Sequence, residues 1–203
     1  RPVADSWAVH TADAVITQIS PIKEGKLIQA KNKFFSLQGL TKDSKALEKW
    51  GEGFFATYYL CPTDYHRVHA PVSGEITAVR HIPGTLWPVN AWSTENIEEL
   101  FTVNERVIVE IKTEKGNVAA IFVGATNVGQ IILSFDAEIH GNQLGSKKVI
   151  EKSYNGLKIK KGDELGMFRM GSTVVMLYPK SAMTENISTF LNQSTKVNSA
   201  FLN

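Results

Sequence analysis

Apolar and polar positions change period several times along the chain, and each change marks an element. Val9 to Ile19 alternates as a strand does, with Ala12, Ala14 and Ile16 on one side and Asp13, Val15 and Thr17 on the other. Lys23 to Phe35 is more polar and carries a turn signal at Glu24-Gly25. Thr41 to Trp50 reads as a short amphipathic helix stopped by Gly51 and Gly53. Phe54 to Leu60 is an aromatic-rich strand, and Gly74 to His81 is another, followed by a turn at Pro83-Gly84. Thr94 to Phe101 predicts a second short helix, with acids in its first half where the helix dipole favours them. Val107 to Lys112 alternates into a turn at Glu114-Lys115-Gly116. Val118 to Gly124 and Val128 to Phe135 are nearly continuous apolar runs, the pattern of strands buried on both faces. Asn155-Gly156 predicts a hairpin turn. After Pro179 the chain turns to Ser, Thr and Asn, which predicts a polar tail, 179–203, with one loose helix. The sum is a mainly β (α+β) fold: a β-rich, barrel- or sandwich-like single domain over 1–178 with two or three short helices.

Two stretches carry candidate chemistry. In Met167-Phe168-Arg169-Met170-Gly171-Ser172-Thr173-Val174-Val175 a Gly-Ser-Thr step separates two apolar runs, just after the turn-rich Lys160-Lys161-Gly162-Asp163-Glu164. Taken alone it is a turn between two strands. Its chemical reading is that Gly171 leaves its carbonyl carbon uncrowded, and that the hydroxyl of Ser172 can attack that carbon once a base removes its proton. The amide would become an ester, and the backbone bond would become breakable. In the second stretch, Cys61-Pro62-Thr63-Asp64-Tyr65-His66-Arg67-Val68-His69-Ala70-Pro71, two histidines stand three residues apart between prolines. In a regular strand His66 and His69 face opposite sides, so a shared site needs a turned backbone. The plain alternative is one core histidine, one surface histidine and a solvated Arg67. A metal pair lacks a third ligand nearby. Asp13 alone reads as a strand-end carboxylate, His81 as structural and His140 as part of a loop.

Composition narrows the field. A chain of 203 residues can bury a real core in one domain. Its 22 basic and 20 acidic side chains leave a net charge of +2, which gives no electrostatic case for nucleic acid and only weak attraction to an anionic membrane. Cys61 is the single cysteine, which excludes an internal disulfide and a multi-cysteine metal site and suits a reducing compartment. No apolar run approaches the ~20 residues of a membrane span. Arg1-Pro2 is neither an initiator methionine nor the start of a targeting peptide, so residues ahead of it are expected to be missing from the sequence, together with any anchor they carry.

Read together, three separated motifs make the chain resemble the bacterial phosphatidylserine decarboxylases. Thr11-Ala12-Asp13-Ala14-Val15 is similar to the family's aspartate motif, Asp64 to Pro71 to its two-histidine motif, and Gly166 to Val174 to its cleavage motif. Leu100-Phe101, Asn104-Glu105-Arg106-Val107 and Val123-Gly124-Ala125-Thr126 also resemble family text, and the likeness runs from about Arg1 to about Tyr178. Ala14 stands where the family usually has glycine, and Met170 where it usually has leucine. Neither change removes a reactive group. The family's longer N-terminal region, often helical and membrane-associated, is not in this sequence.

The resemblance implies an Asp13, His69, Ser172 triad, a serine protease's chemistry turned on its own chain. Cleavage between Gly171 and Ser172 would leave a large piece, 1–171, and a small piece, 172–203, held together by strand pairing. Ser172 would become a covalent pyruvoyl group. That group would bind the substrate amine as a Schiff base and drain electrons as carbon dioxide leaves. The implied substrate is phosphatidylserine and the product phosphatidylethanolamine. His66 is assigned to substrate positioning or proton donation, and no metal is implied. The family further implies peripheral attachment at the cytoplasmic face of the inner membrane, and its members are usually dimers. Trp87, Trp92 and Phe101 read as core side chains, with an apolar approach for lipid as their other use. Two alternatives stay open: pyruvoyl-dependent decarboxylation of a soluble amino acid, and a non-catalytic lipoyl-type or hybrid-barrel module, which Ala70-Pro71-Val72-Ser73-Gly74 resembles. In an uncleaved chain Asp13, His69 and Ser172 are expected to converge, with His66 and His69 facing one cavity.

Overall fold

The longest apolar runs lie side by side in the middle of one large antiparallel sheet. A computed structural model describes residues 1–30, 32–126, 130–141, 148–169 and 172–203. In chain order the first half holds β1 (Ala8–Val9), β2 (Ala14–Pro21), β3 (Lys26–Ala30), β4 (Lys33–Ser36), α1 (Leu37–Thr41), α2 (Ala46–Trp50), β5 (Phe54–Tyr59), β6 (Arg67–His69) and β7 (Gly74–Ile82). There follow α3 (Ala91–Asn96), α4 (Leu100–Val103), β8 (Arg106–Thr113), β9 (Gly116–Val123), β10 (Ile131–Leu133), β11 (Ile150–Ile159), β12 (Glu164–Phe168) and β13 (Thr173–Tyr178). Two 3-10 turns, Lys180–Ala182 and Ile187–Phe190, lead to β14 (Ser194–Thr195) and β15 (Ala200–Leu202). The large sheet has the order β11-β7-β8-β9-β13-β5-β2-β14, and a three-stranded sheet has the order β10-β12-β6. The fold is the β-rich α+β domain expected from the sequence.

Every residue of β13 is buried, and β5, β8 and β9 are nearly so. Burying a Val, Leu or Met side chain contributes roughly 1.5–3 kcal/mol, so β13 is a strong anchor for whatever chain it belongs to. Its register also fixes the site. Thr173 pairs with Tyr59 on one side and Val123 on the other, Tyr59 pairs with Val15, and Val123 pairs with Arg106. One step past this row, at the same end of the sheet, stand Ala14, Leu60, Ser172, Gly124 and Glu105.

Several elements differ from the sequence reading. The helix expected over 41–50 is two helices, α1 and α2, because Lys42 adopts a left-handed φ of 51° between them. The helix expected over 94–101 is likewise α3 and α4, broken at Glu99 with φ 49°. There are thus four short α-helices among the described residues. Asn155-Gly156 makes no hairpin: Gly156, at φ 74°, sits where the pairing of β11 with β7 shifts register between Ser153 and Leu157. The strand over Val9–Ile19 is interrupted, with Asp13 in the gap between β1 and β2. Of Val128–Phe135, β10 is the strand seen, and residues 127–129 lie outside the described residues. The polar segment after Pro179 is no loose helix. Its β14 pairs with β2 and its β15 with β1, and Phe201 and Leu202 join the core. Trp87 and Trp92 are exposed rather than buried, whereas Phe101 is in the core.

His10 ties this last segment to the rest. It is buried, its Nδ1 lies 3.0 Å from the Tyr58 hydroxyl, and its ring meets Phe190 and Phe201 at centroid distances of 5.4 and 4.8 Å. Burial pushes its pKa down from 6.5 to about 4. In that interval the unfolded chain binds a proton that the folded chain refuses, so stability falls as pH drops from above 6.5 towards 4. The loss should reach about 3 kcal/mol. Urea midpoints measured between pH 7 and pH 4.5 should show this slope, and His10→Phe should flatten it.

Candidate active site

The link between β12 and β13 carries Ser172. Met170 and Gly171, and with them the carbonyl of the expected cleavage site, lie outside the described residues. Ser172 itself is fully buried. Its backbone carbonyl accepts the N–H of Leu60 at 2.8 Å, and its hydroxyl donates to the carbonyl of Val123. The serine is therefore gripped by the chain on both sides of β13. Ahead of the link, the N–H of Arg169 donates to the carbonyl of Gln130 at 3.2 Å.

His69 ends β6, which Thr11 holds from the side. The N–H of His69 donates to the carbonyl of Thr11 at 2.8 Å, and the Thr11 hydroxyl donates to the carbonyl of His69 at 2.6 Å. The ring is fixed at both nitrogens. Nδ1 is 2.7 Å from the carbonyl of Gly162, which can only accept, so Nδ1 carries the proton. In the neutral ring Nε2 then holds the lone pair, and it accepts from the Tyr65 hydroxyl at 3.1 Å. Nε2 is thus the basic nitrogen. The Gly162 carbonyl sits at the tip of a turn where φ is 89°, a conformation that favours glycine.

Asp13 is buried close to this point but turned to other partners. Its Oδ1 accepts from Arg1 and from the N–H of Val197, the latter at 2.8 Å, and Lys196 lies 3.7 Å from Oδ2. Burial alone would raise its pKa. The Arg1 and Val197 donors and the charges of Arg1 and Lys196 outweigh that and leave it lowered. A cavity of about 240 Å³, lined by Arg1, Tyr65, His69, Val197 and Asn198, lies between the two residues' surroundings.

His66 precedes β6, and its carbonyl accepts the N–H of Phe168 at the end of β12, at 3.1 Å. Its Nε2 lies 3.1 Å from the Pro62 carbonyl and so carries the proton, while Nδ1 is buried with no partner. It does not line the His69 cavity. A second cavity, of about 530 Å³, is lined by Thr173, Tyr59, Gln29, Asn90 and Phe101, and not by Ser172, His66 or His69.

Asp13 precedes β2 and Ser172 precedes β13 at the same end of the large sheet, two strand spacings or about 10 Å apart, whereas His66 and His69 lie just before and at the end of β6 in the three-stranded sheet. Among the described residues, no hydrogen bond joins Asp13 to His69 or His69 to Ser172. Sequence reasoning did not find Tyr65, Gly162, Val123 or Val197 as partners. Tyr65, Gly162 and Val123 stood inside stretches already marked, but no local signal pointed to Val197.

The family model for phosphatidylserine decarboxylase matches residues 1–202. The chain belongs to the phosphatidylserine decarboxylase family. A phosphatidylserine decarboxylase proenzyme of Vibrio campbellii is 42% identical over 189 residues, covering 90% of this chain and 66% of that protein. One of Vibrio cholerae is 40% identical over 203 residues, covering 97% and 71%, and one of Saccharophagus degradans is 40% identical over 186 residues, covering 90% and 65%. The chain spans about two thirds of the length of these curated relatives. The family match runs past Tyr178 through the segment expected to be a tail. Among the described residues no helix is long and apolar enough to cross a membrane.

Proposed function

We propose that this chain is the self-processing catalytic part of a phosphatidylserine decarboxylase, cutting itself between Gly171 and Ser172 and converting Ser172 to a pyruvoyl group. The observation that carries the reading is Ser172 itself: a fully buried hydroxyl at a strand junction, in a chain that matches the family from end to end. That match favours this reading over the soluble-substrate and carrier-module alternatives.

The self-cleavage needs only groups of this chain. The Oγ of Ser172 bonds to the carbonyl carbon of Gly171, the amide bond between them breaks, and the hydroxyl proton passes through a base to the freed amine. A base then takes the Cα proton of residue 172 as its Cβ–Oγ bond breaks, which releases the Gly171 carboxylate and leaves dehydroalanine; this tautomerises to an imine, and water hydrolyses the imine to the ketone and ammonia. His69 Nε2 is the proposed base, with Gly162 holding its tautomer. To act, Nε2 exchanges the Tyr65 hydroxyl for that of Ser172, and Ser172 leaves the Val123 carbonyl. Asp13 fixes the 195–198 segment that walls the His69 cavity; its charge is paired with Arg1 and Lys196, and it would have to exchange those partners to face the imidazolium that forms.

Ser172 fits the group it would become. The small piece, 172–203, would keep β13, β14 and β15 paired with β5, β9, β2 and β1 of the large piece. The pyruvoyl group, once formed, supplies an electron sink for loss of carbon dioxide from an amine-bearing substrate. His66, whose buried Nδ1 is an unpaired acceptor in this tautomer, is the proposed substrate contact, and it would serve as proton donor once that nitrogen is protonated. The cavity lined by Thr173, the residue next to Ser172, is the proposed place of the phosphatidylserine head, with exposed Trp87 and Trp92 proposed on the path of the acyl chains. Peripheral attachment at the cytoplasmic face of the inner membrane and pairing as a dimer belong to the same proposal.

An intact mass spectrum under denaturing conditions tests it. The expected result is two masses meeting at Gly171/Ser172, the smaller reactive towards a carbonyl reagent, together with carbon dioxide release from phosphatidylserine in detergent micelles. A single mass and no release would overturn the reading, and release from free serine alone would move it to a soluble substrate.

A further inference from the structure

Residues 1–6 form an arm that lies against the groups flanking His69. The N–H of Ala4 donates to the carbonyl of Asn198 at 2.9 Å, and the Lys161 ammonium donates to the carbonyls of Ala4 and Ser6. Val3 packs on Gly162, so closely that a Cβ on that glycine would come within 2.6 Å of it. Asn198 lines the His69 cavity, and the Gly162 carbonyl holds Nδ1 of His69. The arm is tied to both, and it brings Arg1 into the lining of the same cavity. There one guanidinium engages two side chains at once. It donates to Oδ1 of Asp13, and its carbon lies 5.9 Å from the centre of the Tyr65 ring, within the range of cation–π attraction. The Tyr65 hydroxyl in turn covers Nε2 of His69 at 3.1 Å.

We propose that Arg1 is an autoinhibitory latch on self-cleavage: its guanidinium keeps the Asp13 carboxylate turned from His69 and the Tyr65 hydroxyl seated on Nε2, and its release speeds the cut. The inference rests on the self-cleaving reading above, in which Nε2 gives up Tyr65 and Asp13 exchanges its partners. Both exchanges break contacts that Arg1 supports. The two ends of the ion pair are unequal, the Arg1 side chain being 47% exposed and that of Asp13 7%. Water can take over the guanidinium when it leaves, whereas a buried carboxylate needs a counter-ion. Without Arg1, Asp13 keeps the Val197 N–H on Oδ1 and has Lys196 3.7 Å from Oδ2. Its main counter-ion is then gone, and the imidazolium at His69 is a cation that the reaction itself supplies.

The test is the first-order rate of cleavage in a pulse–chase after cell-free synthesis, on the proenzyme with whatever residues naturally precede Arg1. Arg1→Met keeps the length and removes the charge and every donor. It is expected to cleave about three- to tenfold faster than wild type. Arg1→Lys keeps the charge without the fork, and its rate is expected to fall between the two. Raising the salt from about 0.1 M to about 1 M shortens the screening length from ~10 Å to ~3 Å, so it should speed the wild type about threefold and Arg1→Met by much less. A latch and a brace differ in sign, since loss of a merely structural contact would slow the cut. Cleavage of Arg1→Met at or below the wild-type rate would overturn the inference, as would an equal salt response in the two proteins. Should Arg1→Met not fold, the wild-type salt response decides, and a rate that stays flat or falls overturns it. A wild-type chain that never cleaves would instead overturn the self-cleaving reading, and the latch with it.

Discussion

Ser172→Ala is expected to leave the chain in one piece and to abolish decarboxylation completely. The substitution removes the oxygen that would attack Gly171 and then depart with its carboxylate, so neither the ester nor the elimination that leads to the pyruvoyl group can occur. The fold should survive. Alanine is smaller, the Leu60 hydrogen bond is to the backbone, and the lost contact to the Val123 carbonyl costs about 1–3 kcal/mol where that acceptor stays buried. His69→Ala keeps the nucleophile and removes the base, so its cleavage should be slower by a factor of about 10²–10⁴, the usual contribution of a positioned proton acceptor. A time course on denaturing gels, with circular dichroism to confirm folding, separates the two. Cleavage of Ser172→Ala at the wild-type rate and position would remove Ser172 from the chemistry, and the neighbouring Thr173 hydroxyl would be the next nucleophile to examine.

What the sequence could show and what it could not divide along the range of the interactions. Periodicity found β5, β7, β8 and β9, because each buries its own residues in a pattern that a short window contains. It missed the breaks at Lys42 and Glu99, since a left-handed backbone at a lysine or glutamate has no compositional mark. The Asn-Gly signal at 155–156 was read as a turn between strands, but β7 runs alongside and converts it to a bulge, a choice made by pairing and not by the dipeptide. The polar segment after Pro179 lacks an apolar period of its own. It is ordered by partners distant in sequence: the carboxylate of Asp13 on the Val197 N–H, and the Thr195 hydroxyl on the carbonyls of Ala12 and Ala14. The site shows the same division. Asp13, His66, His69 and Ser172 were legible as residue types in three motifs. The atoms that orient them in this structure belong to a Gly162 carbonyl, a Val123 carbonyl and a Val197 N–H, backbone groups that no side-chain type announces.

Arg106→Met is expected to cost about 4 kcal/mol of stability, the largest loss from a single side chain outside the site. Arg106 is almost completely buried at the start of β8, and among the described residues it makes no ion pair. Its guanidinium faces four backbone carbonyls instead. Nε donates to Leu40 at 2.7 Å, Nη1 to Thr102 at 2.8 Å and Asn104 at 2.9 Å, and Nη2 to Gly39 at 2.6 Å. Gly39 and Leu40 belong to the end of α1 and Thr102 to α4, so the cation sits where short helices present carbonyls with no intrahelical partner and a partial negative charge. Burial lowers its pKa to about 10, which leaves it charged at neutral pH. Methionine would fill much of the space but donate nothing, leaving buried carbonyls unpaired at roughly 1–3 kcal/mol each, less what relaxation recovers. Arg106→Lys keeps the charge but cannot span the same fork, and should lose about half as much. The measurement is urea unfolding in the uncleaved Ser172→Ala background, where one intact chain makes a two-state treatment defensible. A melting temperature lowered by about 10 °C is the expected companion result. A loss under about 1 kcal/mol would mean that water enters and takes over the four carbonyls, so that the helices do not depend on the guanidinium. Because Arg106 pairs directly with Val123, the same variant also tests whether loosening the helical layer reaches the strand that holds Ser172. If it does, slower cleavage should accompany the lost stability once the serine is restored.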